Sequence, residues 1–203
     1  MFHLPHVDLI LLVQTFGYPG IFAAIFAESG VFFGFFLPGA SLLFTAGLLA
    51  SQGFFNPMIL IPGVTIAAIL GDSAGFWFGR KVGFRLFLRP DSRFFKHEHL
   101  ERAELFYEKY GSRTILFARF VPVVRTFAPI VAGVANMRYR TFLVYNILGA
   151  LLWASGITAL GYFLGTKVPG IERYLSLIIL GIIVVSSIPL VIEAWKAQNV
   201  QED

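Results

Sequence analysis

The sequence predicts an all-α polytopic membrane protein. Its expected plan is an inverted repeat of two re-entrant broken-helix hairpins, each followed by a transmembrane helix, plus a C-terminal transmembrane helix and a cytoplasmic amphipathic helix. Three observations predict it. Of 203 residues, 57% are hydrophobic and only 14% charged, with mean hydropathy +0.74, well above the range of soluble globular domains. Apolar runs of bilayer length alternate with runs too short to cross ~30 Å of hydrocarbon. Prolines break the short runs, and lipid tolerates such breaks only where the freed backbone groups face protein or water.

Taken in order, the chain reads as one integral membrane domain, 1–203. In 1–20, Asp8 leads into an apolar stretch that Gly17-Tyr18-Pro19-Gly20 interrupts, giving either a kinked or an interfacial helix. No basic stretch precedes the apolar run and no small-residue cleavage site follows, which argues against a removed signal peptide. Hairpin 1 occupies 21–52: an apolar helix carrying Glu28, a break at Pro38-Gly39, and a short apolar half-helix. An ionisable residue in such a helix is a functional candidate by default.

The span expected at 57–79 carries Gly71, Gly75 and Gly79 at every fourth position, a smooth face for close helix approach. Asp72 lies beside that face; packing-level hydrogen bonding and a direct transport role are both open to it. The interval 80–113 is polar, with nine Lys/Arg and five Asp/Glu. Within it, Phe95, Leu100, Ala103, Phe106, Tyr107 and Tyr110 fall near helical spacing and Gly111 supplies a stop, so 91–111 reads as an amphipathic surface helix. Hairpin 2 occupies 113–137, with breaks at Pro122 and Pro129, and spans follow at 141–165 and 171–193. Eleven Lys/Arg on one side, nine in 80–113 with Arg138 and Arg140, face only Lys167 and Arg173 on the other. That asymmetry puts the larger set, and by alternation the C-terminus, in the cytoplasm.

An internal echo supports the repeat. Gly75-Phe76-Trp77-Phe78-Gly79 returns as Gly161-Tyr162-Phe163-Leu164-Gly165, 86 residues on, and Gly47 returns at the same offset as Gly133. Inverted repeats whose broken helices meet at mid-membrane are a common transporter plan.

The chemistry centres on 118–137. Arg119 and Arg125 stand in an otherwise apolar run, where each arginine at bilayer depth costs about 2.5–3.5 kcal/mol on insertion scales. On an unbroken helix their six-residue separation points them roughly 240° apart. A turn at Pro122 lets them flank one volume, presenting guanidinium forks that match phosphate or carboxylate. The competing reading is that both snorkel to the interface from short helix ends.

These residues also carry a family resemblance. Phe117-Ala118-Arg119-Phe120, Pro122, Arg125-Thr126, Pro129 and Ala132-Gly133 resemble the signature of the DedA family, the bacterial branch of the SNARE-associated Golgi protein superfamily. Glu28-Ser29-Gly30 with Phe36-Leu37-Pro38-Gly39, and Gly71-Asp72 with Gly75, Gly79, Arg80 and Gly83, match further blocks. The resemblance covers most of 20–165. It implies an inner-membrane protein that moves undecaprenyl phosphate or other phospholipids between leaflets, some members being proton-dependent. One departure stands out: many relatives carry an acid directly after the Pro-Gly of hairpin 1, where this chain has Ala40. If two acids are needed for proton coupling, either Asp72 supplies the second or the protein is not proton-driven.

The functional expectation is therefore a flippase of lipid-linked phosphate. Arg119 and Arg125 bind the phosphate, Glu28 and Asp72 exchange protons, and Pro38, Gly39, Pro122 and Pro129 make the hairpin breaks. The alternatives are a cation/proton antiporter using Glu28 and Asp72, or a membrane-homeostasis or assembly factor. Enzymatic chemistry is not expected, because the histidines lie at 3, 6, 97 and 99, away from the arginines, and no nucleophile–base pair can be assembled. His97-Glu98-His99 does not make a metal site, since residues two apart do not share a helix face. No cofactor or nucleic-acid partner is expected; pI near 9.5 reflects retained basic loops. With no cysteine in the chain, disulfide chemistry is excluded. Oligomeric state is not legible.

Overall fold

The computed structural model of the chain describes residues 9–30, 39–83, 113–119, 122–168 and 181. All regular structure among them is helical, and two helices, Pro57–Val82 and Tyr139–Lys167, are long and apolar enough to cross a membrane. The amphipathic helix expected at 91–111, the span at 171–193, Pro38 and all four histidines lie outside the described residues.

Helix α1 runs from Leu9 to Gly30 and bends at Gly17, whose φ of 57° is a conformation glycine adopts without a Cβ penalty. Its far end crosses α3 (Pro57–Phe78) at two glycines. A Cβ on Gly30 would strike the Gly71 carbonyl, and one on Gly71 would strike the Phe26 carbonyl. This close crossing sets Glu28 and Ser29 beside Asp72.

Helix α2, Gly39–Ser51, has 13 residues, about 20 Å at ~1.5 Å per residue, and every residue from 41 to 50 is buried. It packs most extensively on the second long helix, where Gly47 meets the Thr158 carbonyl and Gly161 meets the Phe44 carbonyl. The chain then turns at Gly53, φ 86°, and Asn56 caps α3 by accepting from the Met58 amide at 2.9 Å, with Pro57 in the first helical position where its missing N–H is harmless. Past Phe78, α3 continues as a π-helical turn, Gly79–Gly83.

Helices α4 (Arg113–Ala118) and α5 (Pro122–Val134) flank a break at Arg119. Pro122 opens α5, a position proline favours. Pro129, expected as a second break, instead lies inside α5. The helix tolerates it because its C-terminal half is pinned on α3: Gly79 meets the Ile130 carbonyl, and Gly133 meets the Phe76 carbonyl and Arg80 amide. Asn136, φ 52°, turns the chain into the second long helix. That helix comprises α6 (Tyr139–Ala150), a π-helical stretch Leu151–Ser155, and α7 (Gly156–Lys167).

Consequently α2 ends beside the start of α3, while α5 ends beside its finish. Each short helix meets a long one through facing glycines. One core gathers Ile21, Ile25, Leu43, Leu60, Val64 and Trp153; a second gathers Phe76, Ile115, Ala132 and Phe142. Ile59, Ile66 and Leu70 on α3, and Leu152, Leu160 and Phe163 on the second long helix, stay exposed, as a lipid-facing surface requires.

Candidate functional site: a buried arginine–carboxylate cluster

The four charged residues singled out in the sequence converge as two ion pairs. Arg119, at the break between α4 and α5, pairs with Asp72 of α3 through its Nη2. Arg125, on the first turn of α5, pairs with Glu28 of α1 at 2.9 Å. All four are withdrawn from the surface: Glu28, Asp72 and Arg119 are 4–5% exposed, and the Arg125 side chain 10%. Snorkelling to the interface is thereby excluded for both arginines. Formal charge within the cluster sums to zero, as burial demands: a lone buried ion costs several kcal/mol.

Two residues that sequence reasoning missed hold the arginines in place. Asn146, fully buried on α6, accepts from Arg119 Nη2 at 2.7 Å and donates to the Ile69 carbonyl at 3.1 Å, fixing the guanidinium against α3. An amide inside an apolar run was a usable signal for it. Trp153 lies under Arg125, with the guanidinium carbon 3.8 Å from its ring centroid, a cation–π contact that positions the fork and strengthens where water is excluded. Nothing in its sequence context separated it from an interfacial anchor.

Glycines clear the space. A Cβ on Gly39, the first residue of α2, would overlap the Glu28 carboxylate, and one on Gly149 would press on the Arg119 stem. Pro129, lacking an N–H, cannot donate to the carbonyl of Arg125 four residues earlier. Arg119 Nε and Thr126 Oγ1 are buried without a hydrogen-bond partner among the described residues. Such groups are rare and call for an explanation, a ligand being one. Pro122 and Gly39 each sit at the start of a short helix, next to the charged residues. Ala40 follows Gly39 without an acid, and the carboxylate that meets Arg119 is Asp72.

Long apolar helices, lipid-facing aliphatic surfaces and a buried charge-balanced cluster define an all-helical integral membrane protein. The chain belongs to the VTT-domain (DedA) family: the VTT domain model matches residues 37–163. It is 47% identical over 195 residues to protein DedA of Escherichia coli (strain K12), covering 93% of this chain and 89% of that one. An uncharacterized membrane protein of Mycobacterium leprae (strain TN) is 45% identical over 183 residues, covering 90% and 82%. Another from Synechocystis (strain ATCC 27184 / PCC 6803 / Kazusa) is 35% identical over 166 residues, covering 81% and 74%. No solved structure matches.

Proposed function

We propose that the protein is a flippase that carries a lipid-linked phosphate, undecaprenyl phosphate or a phospholipid, across the membrane. In this reading its phosphate binds at Arg119 and Arg125, and Glu28 and Asp72 exchange protons. The observation that carries the reading is the buried, neutral quartet with unfilled hydrogen-bonding capacity at Arg119 Nε and Thr126 Oγ1. Phosphate competes with the two carboxylates for the same guanidinium forks. Arrival of an anion makes the pocket net negative unless a carboxylate takes up a proton, so binding and protonation are linked by charge balance alone. Ala40 removes one acid from hairpin 1, and Asp72 stands in for it as the partner of Arg119.

The proposal treats α1–α2 and α4–α5 as re-entrant hairpins of an inverted repeat. Their support is geometric: α2 and α5 end at opposite ends of α3, and each is seated through glycines on the long helix of the other half. Only the headgroup then needs a polar route, while the hydrocarbon tail stays in lipid. The family resemblance supports a bacterial inner membrane, and the balance of basic residues supports a cytoplasmic C-terminus. A cation/proton antiporter is the second reading, favoured by Glu28 Oε2, a buried carboxylate oxygen without a hydrogen-bond partner among the described residues; the two arginines paired with the carboxylates favour an anion instead.

Reconstitution in liposomes with labelled undecaprenyl phosphate tests it. Wild type is expected to move label between leaflets, and Arg119→Ala and Arg125→Ala to abolish the movement. Glu28→Gln is expected to leave binding in place and remove the response to a pH gradient. Equal movement by wild type and both arginine variants would end the proposal.

A further inference from the structure

A second basic feature lies away from the quartet, at the end of α3. The π-helical turn Gly79–Gly83 carries Arg80, whose guanidinium carbon stands 5.6 Å from the Trp77 ring centroid. Arg80 lines a half-open cavity of about 160 Å³ with Gly133, Val134 and Asn136. The cavity has firm walls, because the Gly133 backbone is seated directly on the Phe76 carbonyl and the Arg80 amide. Asn136, exposed and in the left-handed conformation, completes the lining.

Among the described residues, charge at this end is one-sided. Lys81, Arg138 and Arg140 are exposed there, and among the described residues Arg80 forms no ion pair. The level is also marked: Trp77 and Tyr139 lie ring to ring at 5.3 Å, and such aromatics favour the headgroup zone of a bilayer. A cation in a cavity at the level that Trp77 and Tyr139 mark as the headgroup zone matches an amphiphile with an anionic head.

We propose that the cavity at Arg80 is a second binding site, for the phosphate headgroup of an anionic membrane lipid. Arg80 and Asn136 hold the phosphate oxygens. Arg80 lies eight residues beyond Asp72 on one helical rod, about 12 Å at ~1.5 Å per residue. A headgroup held there is one short step from the quartet. Its role as a loading station rests on the transport reading above; the site itself does not.

The test titrates full-length protein in detergent micelles with dihexanoyl phosphatidic acid and follows bound lipid by native mass spectrometry. Dihexanoyl phosphatidylcholine and inorganic phosphate form parallel arms. The expected result is a saturable phosphatidic acid site that Arg80→Gln weakens at least about tenfold, the loss of a charge-assisted hydrogen bond, and that Arg125→Gln leaves in place. Asn136→Gly keeps the backbone turn and removes only the amide; it is expected to weaken the same site about threefold or more. Equal affinity in Arg80→Gln and wild type, or no saturable site in wild type, overturns the proposal. Inorganic phosphate binding as tightly as phosphatidic acid makes it a free-phosphate site and overturns the lipid assignment, as does equal binding of phosphatidylcholine. Abolished transport in Arg125→Gln with an intact Arg80 site separates the two sites; transport surviving in that variant counts against the transport reading and, with it, the loading role, and leaves the Arg80 site standing.

Discussion

Arg125 has a carboxylate at its edge and an indole against its face, so its role depends on shape as much as on charge. Lysine is a point charge that neither stacks flat nor donates a parallel fork. Arg125→Lys is therefore expected to lose label movement nearly as far as Arg125→Ala, by about tenfold or more; full activity in the lysine variant means that charge balance alone was required. Asn146 makes a parallel case for Arg119. Asn146→Leu leaves the Asp72 pair but strips one guanidinium bond and frees the Ile69 carbonyl, a change of about 1–3 kcal/mol that a lowered unfolding temperature in detergent reports. An unchanged melting temperature means that Asn146 is not holding the arginine. The sequence disclosed all four charges, because charge in an apolar run is conspicuous. It did not disclose who pairs with whom. Partner choice follows from the Gly30–Gly71 crossing, which puts Glu28 within reach of α5 and leaves Asp72 to Arg119, and that crossing is a tertiary fact.

At the scale of elements, glycine decides how closely the short helices approach the long ones. Gly133 faces the Phe76 carbonyl, whereas Gly156 has open space around the position of a Cβ. Gly133→Val is expected to push α5 off α3 and to lower stability by about 1–3 kcal/mol, as overpacking does. Gly156→Ala is expected to be neutral or to stabilise by up to about 1 kcal/mol through helix propensity. The two variants are compared by thermal unfolding in one detergent, and a Gly156→Ala protein that melts below the Gly133→Val protein refutes this packing account. On α3, Gly71, Gly75 and Gly79 were legible as a repeat at four-residue spacing. Their partners were not, since neither the Phe26 nor the Ile130 carbonyl has any sequence mark. Proline was read too simply. Pro122 does open a helix, but Pro129 is absorbed within α5, because the glycine contacts on α3 compensate for a missing backbone bond that an isolated helix would have yielded to. The π-helical stretches were invisible for a similar reason: they register how a long helix adjusts to its neighbours, as Leu151–Ser155 does where Trp153 turns beneath Arg125.

For the molecule as a whole, the decisive question is whether the two short helices enter from opposite faces. The turn after α2 is at the beginning of α3 and the turn after α5 is at its finish. The apolar rod between them, Pro57–Val82, has 26 residues, about 39 Å at ~1.5 Å per residue, more than the ~30 Å hydrocarbon layer. Two such turns cannot share one side of a bilayer if that rod crosses it. The absence of native cysteine makes this directly measurable, with Phe54→Cys and Asn136→Cys as single labels at positions exposed in the fold. In right-side-out vesicles an impermeant maleimide is expected to modify the Phe54→Cys protein directly, and the Asn136→Cys protein only after the membrane is opened, because Asn136 lies among Arg80, Lys81, Arg138 and Arg140 at the basic end, which the positive-inside rule expects to face inward. Labelling of both variants from one side means that α3 does not cross, and then hairpins inserted from opposite faces are impossible. The reverse sidedness keeps the inverted pair but turns the protein over, placing the Arg80 cavity on the outer leaflet. Either result bears on the quartet, since only hairpins entering from both sides give its two ion pairs separate routes to the two aqueous phases.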